Sequence, residues 1–189
     1  MRIIGGEAGG RRLRTPRGPG IRPTSDRVKE ALFNILGERV PDSDFLDLFA
    51  GTGAVGIEAL SRGARLAIFV ELDRKVISTI RRNLSNTGLE DCAEVYSLDV
   101  LRAIKVLGSK SCKFGIVFLG APYDSPALEK ALELLSVSDI IRDGGVVVAE
   151  HRAKHIIADS FGTLTRTRDK RYGDTVLTFY ERTENSFVG

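Results

Sequence analysis

The chain has 189 residues, 42% of them hydrophobic and 28% charged, and a formal net charge of +3. This length suits one domain with a sizeable core, and the composition excludes a disordered or fibrous chain. No apolar run approaches the roughly 20 residues that span a bilayer, and the chain does not start like a signal peptide. The lone Cys92 and Cys112 are too few for a zinc site and fit free thiols. We therefore expect a cytoplasmic, metal-free protein.

The first 22 residues form a basic segment with six arginines, one glutamate and a net charge of +5, which leaves −2 for the other 167 residues. Short runs at 2–4 and 11–14 flank two glycine pairs and predict a small β-hairpin. Because arginine favours phosphate contacts and stacking on bases, residues 1–22 are interpreted as an RNA-binding extension, with a solvated tail as the alternative. The arginines assigned to RNA are Arg2, Arg11, Arg12, Arg14, Arg17, Arg22 and, just beyond the extension, Arg27.

Residues 23–189 have the pattern of one α/β domain. Thr24-Ser25-Asp26 supplies N-caps for a helix through Leu36. From residue 45, strand and helix patterns alternate, which predicts a mostly parallel, seven-stranded sheet with helices on both faces and an antiparallel pair at its end. Predicted strands cover 45–49, 66–71, 93–98, 114–119, 145–150, 163–168 and 174–181, and predicted helices cover 54–62, 73–86, 100–107, 126–136 and 152–158.

The most informative motif is a glycine-rich bend between the first predicted strand and the helix after it. Gly51, Gly53 and Gly56 have the spacing G-x-G-x-x-G, and the next strand ends at Glu71. This layout is typical of a site for an adenosine-bearing cofactor at the carboxyl edge of a parallel sheet, where an acid accepts hydrogen bonds from the ribose diol.

Two further carboxylates bear on which cofactor binds, because Asp47 ends the first strand and Asp99 follows the third. Carboxylates near the bend oppose the pyrophosphate of a dinucleotide, whereas S-adenosylmethionine carries an amino group and a sulfonium cation and no phosphate. We predict S-adenosylmethionine; an NAD-linked oxidoreductase, and a merely capping role for Asp47, are the alternatives. The predicted cofactor-binding residues are Asp47, Phe49, Ala50, Gly51, Thr52, Gly53, Glu71, Leu72, Asp99 and Val100.

The sequence of Asp47–Gly53 resembles the first motif of class I, Rossmann-like S-adenosylmethionine methyltransferases. Nearly the whole chain resembles one family of them, the bacterial 16S rRNA guanine-N2 methyltransferases known as ribosomal small-subunit methyltransferase D. The resemblance implies methylation of a guanine exocyclic amine in 16S rRNA or the small-subunit particle by a protein whose basic N-terminal hairpin engages RNA. The stretches that carry it are 2–6, 11–13, 22–36, 58–64 and 170–175.

One loop departs from that family, whose fourth strand ends in Asp/Asn-Pro-Pro-Tyr/Phe. Here the corresponding residues are Gly120-Ala121-Pro122-Tyr123, which the resemblance implies are catalytic, with Tyr123 stacking on the base. The exocyclic amine of guanine is a poor nucleophile, and acceptors that grip its N–H groups free its lone pair for attack. Gly120 offers only backbone, so a weak or inactive RNA-binding protein on the same scaffold is an alternative.

Three further residues are weaker candidates for the site. Asp124 can substitute for the missing acceptor or cap the following helix. His151 and His155 stand four apart with no third ligand near them in sequence, which predicts solvated helix residues rather than a metal pair.

We expect the protein to be a monomer.

Overall fold

A computed structural model describes residues 1–15, 24–123 and 125–182 of the chain. Strands and helices alternate from residue 44 to residue 152. The helices are α1 (Asp26–Leu36), α2 (Ala54–Ser61), α3 (Arg74–Thr87), α4 (Val100–Ser109) and α5 (Ala127–Val137), with short 3-10 helices at Gly37–Arg39 and Glu90–Cys92. The strands are β1 (Asp44–Leu48), β2 (Leu66–Glu71), β3 (Ala93–Ser97), β4 (Phe114–Leu119), β5 (Ile141–Arg152), β6 (Ser160–Phe161), β7 (Leu164–Tyr172) and β8 (Thr175–Arg182).

These strands form one sheet in the order β3-β2-β1-β4-β5-β8-β7-β6. The first five strands in sequence pair in parallel, and the last three continue the sheet antiparallel. One apolar cluster packs Phe45 and Phe69 against α1, α2 and α3, and a second packs Leu46 and Ile68 against α4 and α5. Helices on both faces explain why β1 is buried throughout. The Rossmann-like α/β fold predicted from the sequence is confirmed.

The strand register brings the predicted site residues to one edge of the sheet. In β1, Leu48 lies opposite Val70 of β2 and Leu119 of β4. Glu71, at the end of β2, lies opposite Ser97, and Leu119 lies opposite Ala149 of β5. Because the carboxyl ends of these parallel strands meet, the glycine bend, the loop after β4 and the end of β5 all lie at the same edge of the sheet.

The N-terminal segment reverses direction with one isolated antiparallel bridge, between Arg2 and Arg12, and no strand forms within residues 1–15. The β-hairpin of the sequence analysis is thus not confirmed as two strands. The segment is nevertheless anchored, because Ile3, Ala8 and Leu13 are buried in the core cluster around α1 and α2.

Three sequence predictions need correction. The sheet has eight strands rather than seven, since Ser160–Phe161 adds a short edge strand to β7. Residues 152–158 do not form a helix, because β5 extends to Arg152 and pairs there with Thr175. His151 therefore lies in a strand and is buried, with Nε2 2.9 Å from Thr178 Oγ1, so it is not a solvated helix residue. No described helix is long and apolar enough to cross a membrane.

Candidate active site

The glycine bend connects β1 to α2 through backbone conformations that few residues adopt. Phe49, Gly51 and Gly53 all have positive φ, at 62°, 54° and 77°. The turn is closed by a 2.8 Å hydrogen bond from Gly53 N to Ala50 O, and Ala50 N donates to Val70 O of β2 at 2.9 Å. Gly53 caps the N-terminus of α2, where free N–H groups and the helix dipole favour negative or polar ligand groups.

The third glycine of the motif has a packing role rather than a role in the bend. A Cβ on Gly56 would lie only 2.4 Å from Cε1 of Phe69, so a side chain there would push α2 away from β2. Close contact between helix and strand at this position holds the bend against the sheet edge.

Asp47 lies at the base of the bend and is 1% exposed. Its Oδ2 accepts a 2.9 Å hydrogen bond from Gly56 N, and no other donor among the described residues reaches the carboxylate. Burial raises the pKa of Asp47, the Gly56 hydrogen bond opposes this rise, and the negative charges of Glu71 and Glu150 add to it, so that the pKa lies at about 7. A buried carboxylate with one donor and two acidic neighbours favours a cationic ligand.

Glu71 reaches from the end of β2 to the bend. Its Oε2 accepts from Gly51 N at 3.0 Å, and its Oε1 accepts from the N–H groups of Leu72 and Asp73 at 2.8 and 2.9 Å. The carboxylate thus fixes the bend, and two carboxylate oxygens have about four lone-pair sites, so Glu71 can still accept from a ribose diol.

The other predicted cofactor residues follow the strand ends. Asp99 caps α4, with Oδ1 3.0 Å from Leu101 N, and Val100 behind it is buried. Leu72 exposes 66% of its surface beside Glu71, an apolar side chain open to a ligand at this edge. Thr52 is buried in the bend, and its carbonyl accepts a 3.0 Å hydrogen bond from Asn83 Nδ2 of α3.

The loop after β4 lies beside the bend, since Gly120 N donates to Leu48 O at 3.3 Å. Ala121 is buried and Pro122 is exposed. The hydroxyl of Tyr123 lies 2.9 Å from Thr175 Oγ1, and the Arg152 guanidinium lies 5.0 Å from the centroid of its ring. The phenol is therefore oriented by the end of β5 and the start of β8; Asp124 lies outside the described residues.

A cavity of about 220 Å³ opens next to this loop, between the start of α1 and the turn that joins β7 to β8. No residue that lines it belongs to the predicted cofactor set; it is lined by Ser25, Arg27, Val28, Tyr123, Glu150, Tyr172, Gly173, Asp174 and Thr175.

Sequence reasoning missed Glu150, which lies in β5 after Ala149 and is 8% exposed. Its Oε2 accepts from Thr24 Oγ1 at 2.6 Å, and its Oε1 lies 3.5 Å from the hydroxyl of Tyr123. The signal was available, because Val146–Glu150 is an apolar run that stops at an acid, like the run that ends at Glu71.

Sequence reasoning also missed a buried charge cluster that anchors the N-terminal segment, the Glu58 cluster, formed by Glu58, Lys29 and Arg62. The Glu58 carboxylate lies 3.2 Å from Lys29 Nζ and 2.8 Å from Arg62 Nε. It also accepts from the N–H groups of Ile4 and Gly5, both at 2.8 Å. Glu58 is the one charged residue of the mostly apolar α2 sequence, and this was the available signal.

The N-terminal segment also touches the cofactor edge. The Asn83 side chain pairs with the backbone of Arg14, accepting from its N–H at 2.8 Å and donating to its carbonyl at 3.1 Å, while it holds Thr52. Arg2, Arg12, Arg14 and Arg27 have exposed side chains, and Arg11 Nη1 donates to Thr87 O at 2.7 Å. The predicted contacts of Arg17 and Arg22 fall outside the described residues. Within those residues, no group of three potential metal ligands occurs.

The fold and the site define a class I, Rossmann-like methyltransferase of the kind that uses S-adenosylmethionine. The model of the family described as conserved hypothetical protein 95 matches residues 1–181. The ribosomal RNA small subunit methyltransferase D of Escherichia coli (strain K12) is 35% identical over 182 residues, which cover 96% of this chain and 90% of that protein. The chain belongs to this family, which confirms the resemblance found in its motifs.

Comparison with solved structures shows the same fold. A hypothetical protein from Thermus thermophilus superposes with a TM-score of 0.84 at 32% identity and covers 96% of this chain and 99% of that one. An RNA methyltransferase from Salinibacter ruber, solved in complex with S-adenosyl-L-homocysteine, has a TM-score of 0.66 at 20% identity, with 86% and 95% of the two chains covered. At that identity the likeness is one of fold.

Proposed function

We propose that this protein transfers a methyl group from S-adenosylmethionine to the exocyclic N2 of a guanine in 16S rRNA, as a cytoplasmic monomer that acts on the rRNA or on a small-subunit particle. The observation that carries the proposal is a juxtaposition at one sheet edge: an acidic glycine bend lies directly beside a Pro122-Tyr123 loop, joined by the Gly120–Leu48 hydrogen bond. The small-subunit rRNA methyltransferase among the relatives supports the choice of substrate.

The residues at the edge fit this cofactor. Glu71 would accept from the ribose diol, Asp47 would bind the cationic amino acid end, and Asp99 would accept from the adenine amino group. Leu72 and Val100 would contact the adenine, and the backbone of Phe49, Ala50, Gly51, Thr52 and Gly53 would line the bend. The bound sulfonium supplies an electrophilic methyl group.

The loop after β4 would hold the guanine. The carbonyls of Gly120 and Ala121 would accept from the amine, Pro122 would fix their direction because its ring locks φ, and Tyr123 would stack on the base. As the N2–C bond forms and the S–C bond breaks, the bonding electron pair goes to sulfur and the amine releases one proton to water.

The N-terminal arginines would bind the rRNA backbone. Arg2, Arg12 and Arg14 are exposed on a segment that Asn83 ties to the bend, and Arg27 is exposed at the start of α1. In the proposal, phosphate contacts made there position the target base without reading its sequence.

The experiment is methyl transfer from labelled S-adenosylmethionine to small-subunit particles purified from cells that lack this gene, under excess enzyme. We expect one N2-methylguanine per particle with the wild-type chain and none with Asp47→Asn. Transfer to another atom or to no particle RNA would refute the proposal.

The second candidate, an RNA-binding protein with little or no activity, is favoured only by the absent side chain at Gly120. A Cβ there would lie 3.0 Å from Cε1 of Phe118, so a side chain at this position requires the ring to shift by a few tenths of an ångström. One lost transition-state hydrogen bond costs about 10²–10³ in rate, so Gly120→Asn should raise a slow single-turnover rate. Transfer by Gly120→Asn alone would favour the second candidate.

A further inference from the structure

The cavity beside Tyr123 has the size and the chemistry of a pocket for one nucleobase. Its volume of about 220 Å³ is smaller than the roughly 300–1,000 Å³ of pockets for drug-sized ligands. The residues that line it include Tyr123, Tyr172, Arg27 and Glu150. Aromatic side chains suit stacking on an extruded base, and an arginine suits its phosphate.

Glu150 is the buried charged group of this pocket. Thr24 Oγ1 fixes one of its carboxylate oxygens at 2.6 Å, and the Tyr123 hydroxyl lies 3.5 Å from the other. Each carboxylate oxygen has two acceptor sites, so the group can accept hydrogen bonds from a ligand while these contacts persist. At 8% exposure it exchanges few hydrogen bonds with water, which makes its ligand contacts selective.

The Watson–Crick edges of the bases differ in what they offer a carboxylate. Guanine presents two neighbouring donors, N1–H and N2–H, which match two carboxylate oxygens. Adenine has an acceptor at N1, which a carboxylate repels. A fixed carboxylate acceptor in a base-sized pocket therefore selects guanine.

We propose that this cavity binds the target guanine and that Glu150 recognises its N1–H and N2–H groups, supplying from β5 an acceptor that Gly120 lacks. The inference rests on the proposed function, since it names the residue that selects the base for that reaction. Glu150 is thus a specificity-determining residue, and its contact with N2–H holds the amine next to the bend.

The test uses reconstituted small-subunit particles whose 16S rRNA carries either guanine or 2-aminopurine at the position that the wild-type chain methylates. 2-Aminopurine keeps the N2 amine and has an acceptor at N1. We expect the wild type to prefer guanine by about 10–100-fold in kcat/KM, because a bidentate contact to a base edge gives discrimination of this order. Glu150→Gln presents one acceptor and one donor, so its preference should move toward 2-aminopurine by at least about tenfold.

Two comparisons separate this role from a structural one. Glu181→Gln, a matched change at an exposed pair with Arg39, should keep the wild-type preference, and Glu150→Asp should keep the preference for guanine at a lower rate. Equal use of both bases by the wild type, or an unchanged ratio in a folded Glu150→Gln that binds S-adenosylhomocysteine normally, would overturn the inference and leave the proposed function standing. No transfer to either particle by the wild type would overturn both.

Discussion

Two buried carboxylates have opposite electrostatic surroundings: Glu58 in α2, and Asp47 in β1, which accepts a hydrogen bond from the first turn of that helix. Glu58 of α2 accepts from two backbone N–H groups and from Arg62, and it lies 3.2 Å from Lys29 Nζ. Burial alone would raise the pKa of Glu58, but these hydrogen bonds and cations outweigh it and lower the pKa below its ordinary value. At the N-terminal end of α2, burial raises the pKa of Asp47 to about 7.

The two carboxylates therefore differ in whether the protein itself compensates their charge. Around Glu58 the protein supplies the compensating charges, and the result is an anchored N-terminal segment. Around Asp47 it supplies one N–H and places Glu71 and Glu150 nearby, so ionisation in the unliganded protein is unfavourable. A cationic ligand would complete the second site as Lys29 and Arg62 complete the first.

The largest expected effect is the loss of stability when Glu58 is removed from the Glu58 cluster. Glu58→Ala removes the acceptor for two backbone N–H groups and leaves the fully buried Lys29 without its closest acidic partner, so the free energy of unfolding should fall by about 3–5 kcal/mol. Urea denaturation measures this loss. Glu181→Ala breaks the exposed pair with Arg39 and should cost no more than about 1 kcal/mol. Equal losses of stability in the two variants would show that the Glu58 cluster stabilises the fold no more than an exposed ion pair does.

Asp47→Asn should stabilise the unliganded protein at high pH. A raised pKa means that the folded state holds the proton more tightly than the unfolded state, so the contribution of Asp47 to stability is present below about pH 4 and is lost as pH rises through about 7. A rise in pKa from 3.8 to about 7 corresponds to at most about 4 kcal/mol, which Asn should recover at about pH 8. Unfolding curves at about pH 5 and pH 8 test it, and a destabilised Asp47→Asn at the higher pH would contradict it.

The contribution of Glu58 to the free energy of unfolding should change with pH in the opposite direction. Its lowered pKa stabilises the folded state above the ordinary value of 4.5, and this stabilisation is lost as pH falls through the folded pKa. Acid should therefore loosen the N-terminal anchor while it protonates Asp47 at no cost.

The affinity for the cofactor should depend on whether the Asp47 carboxylate is ionised. A cationic amino group binds the ionised carboxylate, so S-adenosylhomocysteine affinity should fall by up to about tenfold for each pH unit below about 7. Isothermal titration between about pH 5.5 and pH 8 measures it, with Asp47→Asn as the control that binds weakly and without this slope. A flat profile in the wild type would show that Asp47 does not titrate against the ligand.

The smallest expected effect is on rRNA binding by the exposed arginines of the N-terminal segment. Deleting that segment is a poor test, because Ile3 and Leu13 are buried in the core. Arg12→Ala with Arg14→Ala should weaken rRNA binding and reduce its salt slope by about 1 for each phosphate that the variant no longer binds, with S-adenosylhomocysteine affinity unchanged. Arg39→Ala, on a surface pair with Glu181, is the matched control. An unchanged slope would make the segment a solvated basic surface.

The cofactor edge could be predicted because its signals are local. Asp47 lies near the end of an apolar strand and Glu71 ends the next one, and parallel strands bring such ends together whatever the details of packing. The β5 extension and the burial of His151 were missed because pairing with β8, far along the chain, overrode a helix-like pattern.

The contacts of the Glu58 cluster could not be predicted in the same way. The Glu58–Lys29 pair joins residues 29 positions apart, and the contacts of Glu58 with Ile4 and Gly5 span 54 and 53 positions. Periodicity reports which face of an element is buried, and it carries no information on which charges from distant elements meet there. Only the three-dimensional arrangement shows that the basic segment is part of the core.

The central claim is tested most directly by mass mapping of 16S rRNA from cells of the source organism with and without this gene. The account predicts one N2-methylguanine that is lost on deletion, restored by the wild-type chain and by Glu181→Gln, and not restored by Asp47→Asn. A 16S rRNA whose modifications are identical with and without the gene would contradict it.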